Sequence, residues 1–267
     1  MKRRMNPVIS LLLSAALAVP LMNVAVADEA ADRGLEIARD RKQRDEGWGT
    51  SEAQLTMTLR NAQGEESVRQ IRTRSLEVKD DGDKGLTIFD EPKDVKGTSF
   101  LNFSHIAKPD DQWLYMPALK RVKRIASRNK SGPFMGSEFA YEDMSSFELE
   151  KYSFRYLRDE MVDGTDSYVL EQTPLDEFSG YTKQVVWLDK EHLRGLKIEF
   201  YDRKQSLLKT LTLGDYQLYK DKYWRAHTAT MVNHQTGKST VLKTLQLTFD
   251  TGLTDADFNE TTLMRAR

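Results

Sequence analysis

Beyond residue 50 the chain alternates with a period of two. Leu55, Met57 and Leu59 alternate with Gln54, Thr56 and Thr58, and Leu196, Ile198 and Phe200 with Lys197 and Glu199. Leu207, Leu211 and Leu213 share a face with Lys209, while Val241, Leu245, Leu247 and Phe249 oppose Thr244, Gln246 and Thr248. This alternation marks strands with one buried face. Turn-forming clusters at 61–64, 80–83, 163–164, 202–205, 221–222 and 235–237 divide the strands at short intervals. The pattern predicts about 11 to 13 strands. They fall at 53–60, 67–79, 85–90, 98–106, 112–117, 121–126, 151–161, 166–173, 181–189, 193–202, 206–218, 223–233 and 239–250. Hairpin after hairpin without long helical crossovers gives an antiparallel sheet. So many strands curl, and full or partial closure into a barrel limits the exposed edges.

Two segments depart from this period. Residues 32–44 read as a short charged helix, with Ala31, Leu35 and Ala38 on one narrow apolar stripe and Gly47 and Gly49 ending it. It suits packing on a sheet face or lying on a membrane surface. Residues 137–145 and 255–263 suit short helices.

The first 27 residues have the composition of a signal peptide. Lys2, Arg3 and Arg4 precede an apolar run from Val8 to Val19, Pro20 breaks it, and Ala25-Val26-Ala27 offers a cleavage site before Asp28. The run is shorter than the roughly 20 residues a bilayer core requires. The expected organisation is a leader over 1–27 and one domain over 28–267, soluble after processing. The leader carries three of the 40 basic residues and none of the 41 acidic ones, leaving 37 against 41. That balance is no signature of nucleic-acid binding. There is no cysteine, which excludes thiol catalysis, thiolate metal sites and a lipid anchor on an N-terminal cysteine.

Catalytic and metal motifs are weak. His227 and His234 stand seven apart on or beside a strand, an odd spacing that puts them on opposite faces; a surface location is expected for them, and no shared metal. Asp80-Asp81-Gly82-Asp83 lacks the ligand offsets of a calcium loop and reads as a hairpin turn. No serine lies in a Gly-x-Ser-x-Gly elbow.

The richest stretch is 111–144. Trp113, Tyr115, Met116, Phe134, Met135, Phe139, Tyr141 and Met144 surround the basic residues Lys120, Arg121, Lys123, Arg124 and Arg128. Met and aromatic side chains re-pack readily, so they suit varied apolar ligands. The eight are candidate lipid-binding residues, and Trp113, Tyr115, Phe134, Met135 and Phe139 are expected on or near one apolar concavity. Residues 132–144 form either a loop capping the core or a flexible lid. In 120–124 the charge falls on both strand faces, which fits a sheet edge or a cavity mouth. The cluster is a solvated face or a contact for anionic headgroups or an acidic partner.

Three runs in this region carry a resemblance. EPKDVKGTSFL (91–101), WLYMPALKRVKRI (113–125) and FMGSEFAYEDM (134–144) resemble the outer-membrane lipoprotein-sorting-protein-like family, a distant branch of the LolA/LolB superfamily. The resemblance implies a single-domain, mainly β, unclosed antiparallel barrel with a few short helices covering the open side. It implies a concavity that carries acyl chains, and association with transporters of the resistance-nodulation-division superfamily. The expectation is a periplasmic, non-enzymatic carrier of a lipid, hydrophobic compound or lipidated protein, in transient membrane contact. No cofactor, metal or nucleic acid is expected. The rivals are an accessory subunit that binds a transporter and carries nothing, and a hydrolase on a barrel scaffold. A hydrolase needs a convergent nucleophile and base, which the sequence does not offer.

Overall fold

The computed structural model describes residues 22–265. Most of the expected leader therefore lies outside the described residues, and its last positions continue the backbone of the first helix, α1 (Met22–Arg44). Thirteen strands follow: β1 (Thr50–Arg60), β2 (Glu66–Leu76), β3 (Lys84–Glu91), β4 (Ser99–Phe103), β5 (Asp111–Met116), β6 (Arg121–Ile125), β7 (Tyr152–Val162), β8 (Thr165–Pro174), β9 (Tyr181–Asp189), β10 (Gly195–Asp202), β11 (Leu207–Tyr219), β12 (Tyr223–Asn233) and β13 (Ser239–Phe249). A short helix, α2 (Glu260–Arg265), ends the described chain.

All thirteen form one antiparallel sheet in the order β6-β5-β4-β3-β2-β1-β13-β12-β11-β10-β9-β8-β7. The chain starts in the middle at β1 and runs outward to the edge strand β6. It then crosses to the opposite edge, β7, and returns inward until β13 pairs with β1. β6 and β7 do not pair, so the barrel is unclosed. This connectivity obliges the 26-residue connection between β6 and β7, residues 126–151, to bridge the open seam. Lys130–Asp176 and Lys151–Asp110 ion pairs tie the two sides of the seam together.

One face of the sheet carries a continuous apolar row. Leu114 faces Phe100; further along, Met57 faces Leu242, Met231 faces Leu211, Leu211 faces Ile198, Ile198 faces Val186 and Val186 faces Leu170. Two elements cover this inner face. α1 lays Ile37 on Leu170, Val186, Leu188 and Leu193. The helix comes so near β7 that a Cβ on Gly34 would sit 2.7 Å from the Tyr156 backbone nitrogen. The buried positions of α1 are thus Gly34, Ile37 and Ala38, while Ala31 and Leu35 are exposed. The expected stripe is therefore corrected by about one residue, because close approach selects the glycine and not the leucine. Of the two settings open to this helix, it takes the sheet face. The second cover is the seam-crossing connection, a plug with 3-10 turns at Phe134–Gly136 and Tyr141–Met144.

Strict alternation fails at several irregularities, and three of them move leucines of the expected pattern. Between Gln54 and Leu55 the pairing with β13 skips Leu245, which is 56% exposed. Val241 then opposes Thr58 and Leu242 takes the inner position opposite Met57, so Val241 does not share a face with Leu247. A shift between Gly195 and Lys197 sends Leu196 to the Trp187 cluster on the other face. A third shift, beside Tyr201, skips Leu208, which packs into the inner core. A bulge adds one residue and so reverses the parity of the strand beyond it.

Candidate functional site

The plug begins with Phe134, fully buried against Phe100 at 5.1 Å, Tyr141 at 5.6 Å and Phe89 at 6.0 Å between ring centroids. Phe139 is buried in the same cluster, and Met116, Met135, Tyr141 and Met144 pack against it. Polar ties hold the segment from several strands. Lys209 donates to the Glu138 carbonyl at 2.9 Å and the Asp143 carboxylate at 2.7 Å. Tyr181 donates its hydroxyl to Asp143, Asn233 donates to the Glu138 carboxylate, and Arg69 donates to the Met135 carbonyl. Glu142 accepts from the Ser179 hydroxyl and the Gly180 N–H, yet burial raises its carboxyl above the ordinary range. Of the two expectations for 132–144, the geometry is that of a core-capping plug.

Six of the eight candidate lipid-binding residues, Met116, Phe134, Met135, Phe139, Tyr141 and Met144, therefore lie together on the inner face. Trp113 and Tyr115 do not. They pack on the outer face with Leu86, Ile88, Leu101, Phe258 and Leu263, beneath α2. The single concavity expected for Trp113, Tyr115, Phe134, Met135 and Phe139 is corrected to two clusters on opposite faces. Strand parity is the cause: in β5, Trp113 and Tyr115 point one way and Leu114 and Met116 the other.

The basic residues Lys120, Arg121, Lys123, Arg124 and Arg128 are all exposed. They lie on and beside β6, an edge strand, as charge on both faces suggested. Arg124 pairs with Asp111.

The histidines go to separate partners. His234 is exposed, but His227 is buried, its ring stacked on Tyr219 at 5.9 Å and bonded to the Tyr219 hydroxyl at 2.7 Å. The surface location expected for His227 is thus corrected: a neighbouring aromatic and a ladder carbonyl, Thr244 O, satisfy its ring. Asp81 in the 80–83 turn accepts from the Ile106 N–H at 2.9 Å and contacts the His105 ring at 2.8 Å, which holds its carboxyl down at about 2.

Plug and helix leave two adjoining cavities on the inner face. One, of about 400 Å³, lies under the seam and is bounded by Phe147, Tyr152, Tyr181, Ile198 and Phe200 together with the seam's ion pairs. The other, of about 420 Å³, lies between the C-terminal end of α1 and the β11–β12 hairpin, against Trp48, Tyr216, Tyr223 and Trp224. Arg41, Ser146 and Phe147 line both. The Arg41 guanidinium stands 4.9 Å from the Phe147 ring centre, and Phe147 stacks on Tyr152. Burial lowers the pKa of Arg41 from its ordinary value. Sequence reasoning missed this region because its parts come from α1, the plug and β10–β12. The local signals were the basic end of α1 (Arg39 to Arg44) and the triplet Tyr223-Trp224-Arg225.

Sheet, covering helix and plug define an unclosed barrel with a partly hollow inner face. A family model described as that of an uncharacterized protein matches residues 81–265. A structure from Vibrio parahaemolyticus, described as an outer membrane lipoprotein-sorting protein domain, is 67% identical; the match covers 88% of this chain and 100% of that one, with a TM-score of 0.87. A DUF1329 family protein from Desulfovibrio piger is 30% identical over 88% of this chain and 99% of its own, with a TM-score of 0.83. The chain belongs to this outer-membrane lipoprotein-sorting-protein-like family. A LolA superfamily protein from Nitrosomonas europaea, 21% identical over 88% and 98% of the two chains with a TM-score of 0.65, shares the fold. No curated protein matches the chain. No helix among the described residues is long and apolar enough to cross a membrane.

Proposed function

We propose that the protein is a periplasmic carrier that holds a lipid, a hydrophobic compound or the acyl part of a lipidated protein on the inner face of its sheet. The observation that carries this reading is the pair of adjoining cavities, of about 400 and 420 Å³, between plug, α1 and sheet. Each lies within the roughly 300–1,000 Å³ range of small-molecule sites. Both are half-open clefts that reach aromatic side chains of the inner face, so a ligand can enter them from solvent. An acyl chain gains about 0.8 kcal/mol per CH₂ removed from water, so a protein concavity and a membrane can exchange it. The similar Vibrio domain is described as an outer membrane lipoprotein-sorting protein domain, and that description supports a lipid-linked cargo here.

The exposed basic strand β6 is the surface we assign to transient contact with the membrane or with an inner-membrane transporter of the resistance-nodulation-division class. A second reading, an accessory subunit that carries nothing, draws support from the plug, whose buried ties hold it against the core. Lipid extraction from protein purified out of its own periplasm separates the two. The carrier yields stoichiometric lipid, and the accessory subunit yields none.

A further inference from the structure

Charge accounting around the second cavity singles out two cations. Most of the basic residues that line it are matched: Lys42 pairs with Glu148, Arg44 with Asp40, Arg194 with Asp189 and Arg225 with Asp45. Lys222 makes no ion pair among the described residues; it donates to the Glu46 carbonyl and stands 4.9 Å from the Tyr223 ring centre. Arg41 has no ion pair and no hydrogen bond among the described residues, and its one close neighbour of note is the face of Phe147. Asp45, the carboxylate that acts on Arg41 through space, is committed to Arg225. Arg41 is half-buried, and an unmatched guanidinium partly withdrawn from water is costly. Arginine keeps its charge in such a place and offers a planar set of donors suited to phosphate or carboxylate oxygens.

The position of Arg41 matters as much as its solitude. It lines both cavities, with the Phe147 ring beside it. The cavity on one side has an apolar wall of Phe147, Tyr152, Ile198 and Phe200 facing the charged seam residues Asp110, Lys130 and Lys151, and the one on the other adds Lys222 and the indoles of Trp48 and Trp224. One side suits an acyl chain and the other an anion.

We propose that Arg41, assisted by Lys222, forms an anion subsite that receives the phosphate-type headgroup of an anionic amphiphile whose chain lies in the adjoining seam cavity. The inference rests on the carrier reading and narrows its ligand class from lipid in general to anionic, phosphate-bearing lipid. It also places the headgroup inside the concavity and not on the β6 edge.

The test uses the full chain, freed of lipid, with three probes: lysophosphatidylglycerol, the uncharged monoacylglycerol of the same chain, and inorganic phosphate. Titration calorimetry reads wild type and Arg41→Gln. Wild type is expected to bind the charged lipid at least about tenfold more tightly than the neutral one, the worth of one charge-assisted contact. Arg41→Gln should erase that preference while keeping its affinity for monoacylglycerol and its melting temperature. Equal binding of lysophosphatidylglycerol by wild type and variant, or no preference in wild type, overturns the subsite while monoacylglycerol binding still upholds the carrier. Phosphate binding that depends on Arg41, with neither lipid bound, upholds the subsite with a free anion as its ligand and overturns the carrier. No binding of any probe overturns both. If Arg41→Gln does not fold, Lys222→Gln, a change at an exposed side chain, should reduce the preference several-fold at low salt; an unchanged preference overturns the two-cation site.

Discussion

The inner face of the sheet has two halves built on different terms. Under the plug, Phe134 and Phe139 fill the space between strands, and the buried cation Lys209 meets the carboxylate of Asp143. Beside the C-terminal end of α1 the same face is hollow, and Arg41 has no carboxylate in ion-pair contact among the described residues. Lys209 receives its counter-charge from the chain itself, whereas Arg41 is the guanidinium of the hollow half left without one among the described residues. The first half is constructed as a core and the second as a container. The aromatic-rich stretch that draws the eye in the sequence belongs mostly to the core.

The largest expected effects come from the filled half. Phe134→Ala should lower stability by about 3 to 5 kcal/mol in urea unfolding, because it empties a ring-sized hole among Phe89, Phe100 and Tyr141. A loss under about 1 kcal/mol would mean the plug is not part of the core. Lys209→Met should cost about 3 kcal/mol by stranding Asp143, and the double change Lys209→Met with Asp143→Leu should recover much of it. If the double variant is no better than the single, the pair is not the tie we describe. The same removal of charge at Arg41, which strands no partner among the described residues, should not lower stability.

A smaller effect sharpens the contrast through pH. Asp83 borders the hollow half, and burial pushes its carboxyl up to about 6. A folded value above the unfolded one means that the folded state holds the proton more tightly. This contribution is complete below about pH 4 and is lost as pH rises through 6. Asp83→Asn should therefore gain about 1 kcal/mol at pH 8, after allowance for partial solvent screening, and nothing at pH 4. A gain that is the same at both values would contradict the assignment. The smallest stability effect belongs to the basic edge. Replacing Arg121, Lys123 and Arg124 by Gln should change stability by no more than about 0.5 kcal/mol while slowing association with anionic vesicles at low salt. An unchanged rate would leave β6 a solvated face.

The strands were legible in the sequence because half-buried strands write their burial with a period of two and turn clusters bound the rest, including β3, β4 and β9, which are buried in continuous runs. The irregularities at Leu196, Leu208 and Leu245 were not, since a bulge reverses parity without a compositional sign. The separation of Trp113 and Tyr115 from Met116 was legible from parity alone; residue density in the stretch masked it. The hollow half was not legible. Arg41 and Phe147 lie 106 positions apart, and Trp224 a further 77. Only the return of the chain from β7 to β13 brings them to one place. Local pattern reports which face is buried, not which distant residues share a cavity.

Photo-crosslinking with a diazirine-bearing acyl probe, followed by peptide mapping, tests the central claim most directly. The carrier account predicts label on the walls of the hollow half, at Phe147, Tyr152, Ile198 or Phe200, with the plug residues Phe134 and Phe139 and the outer residues Trp113 and Tyr115 unlabelled. Label concentrated on Trp113 and Tyr115, or no specific label on the inner face, would contradict it.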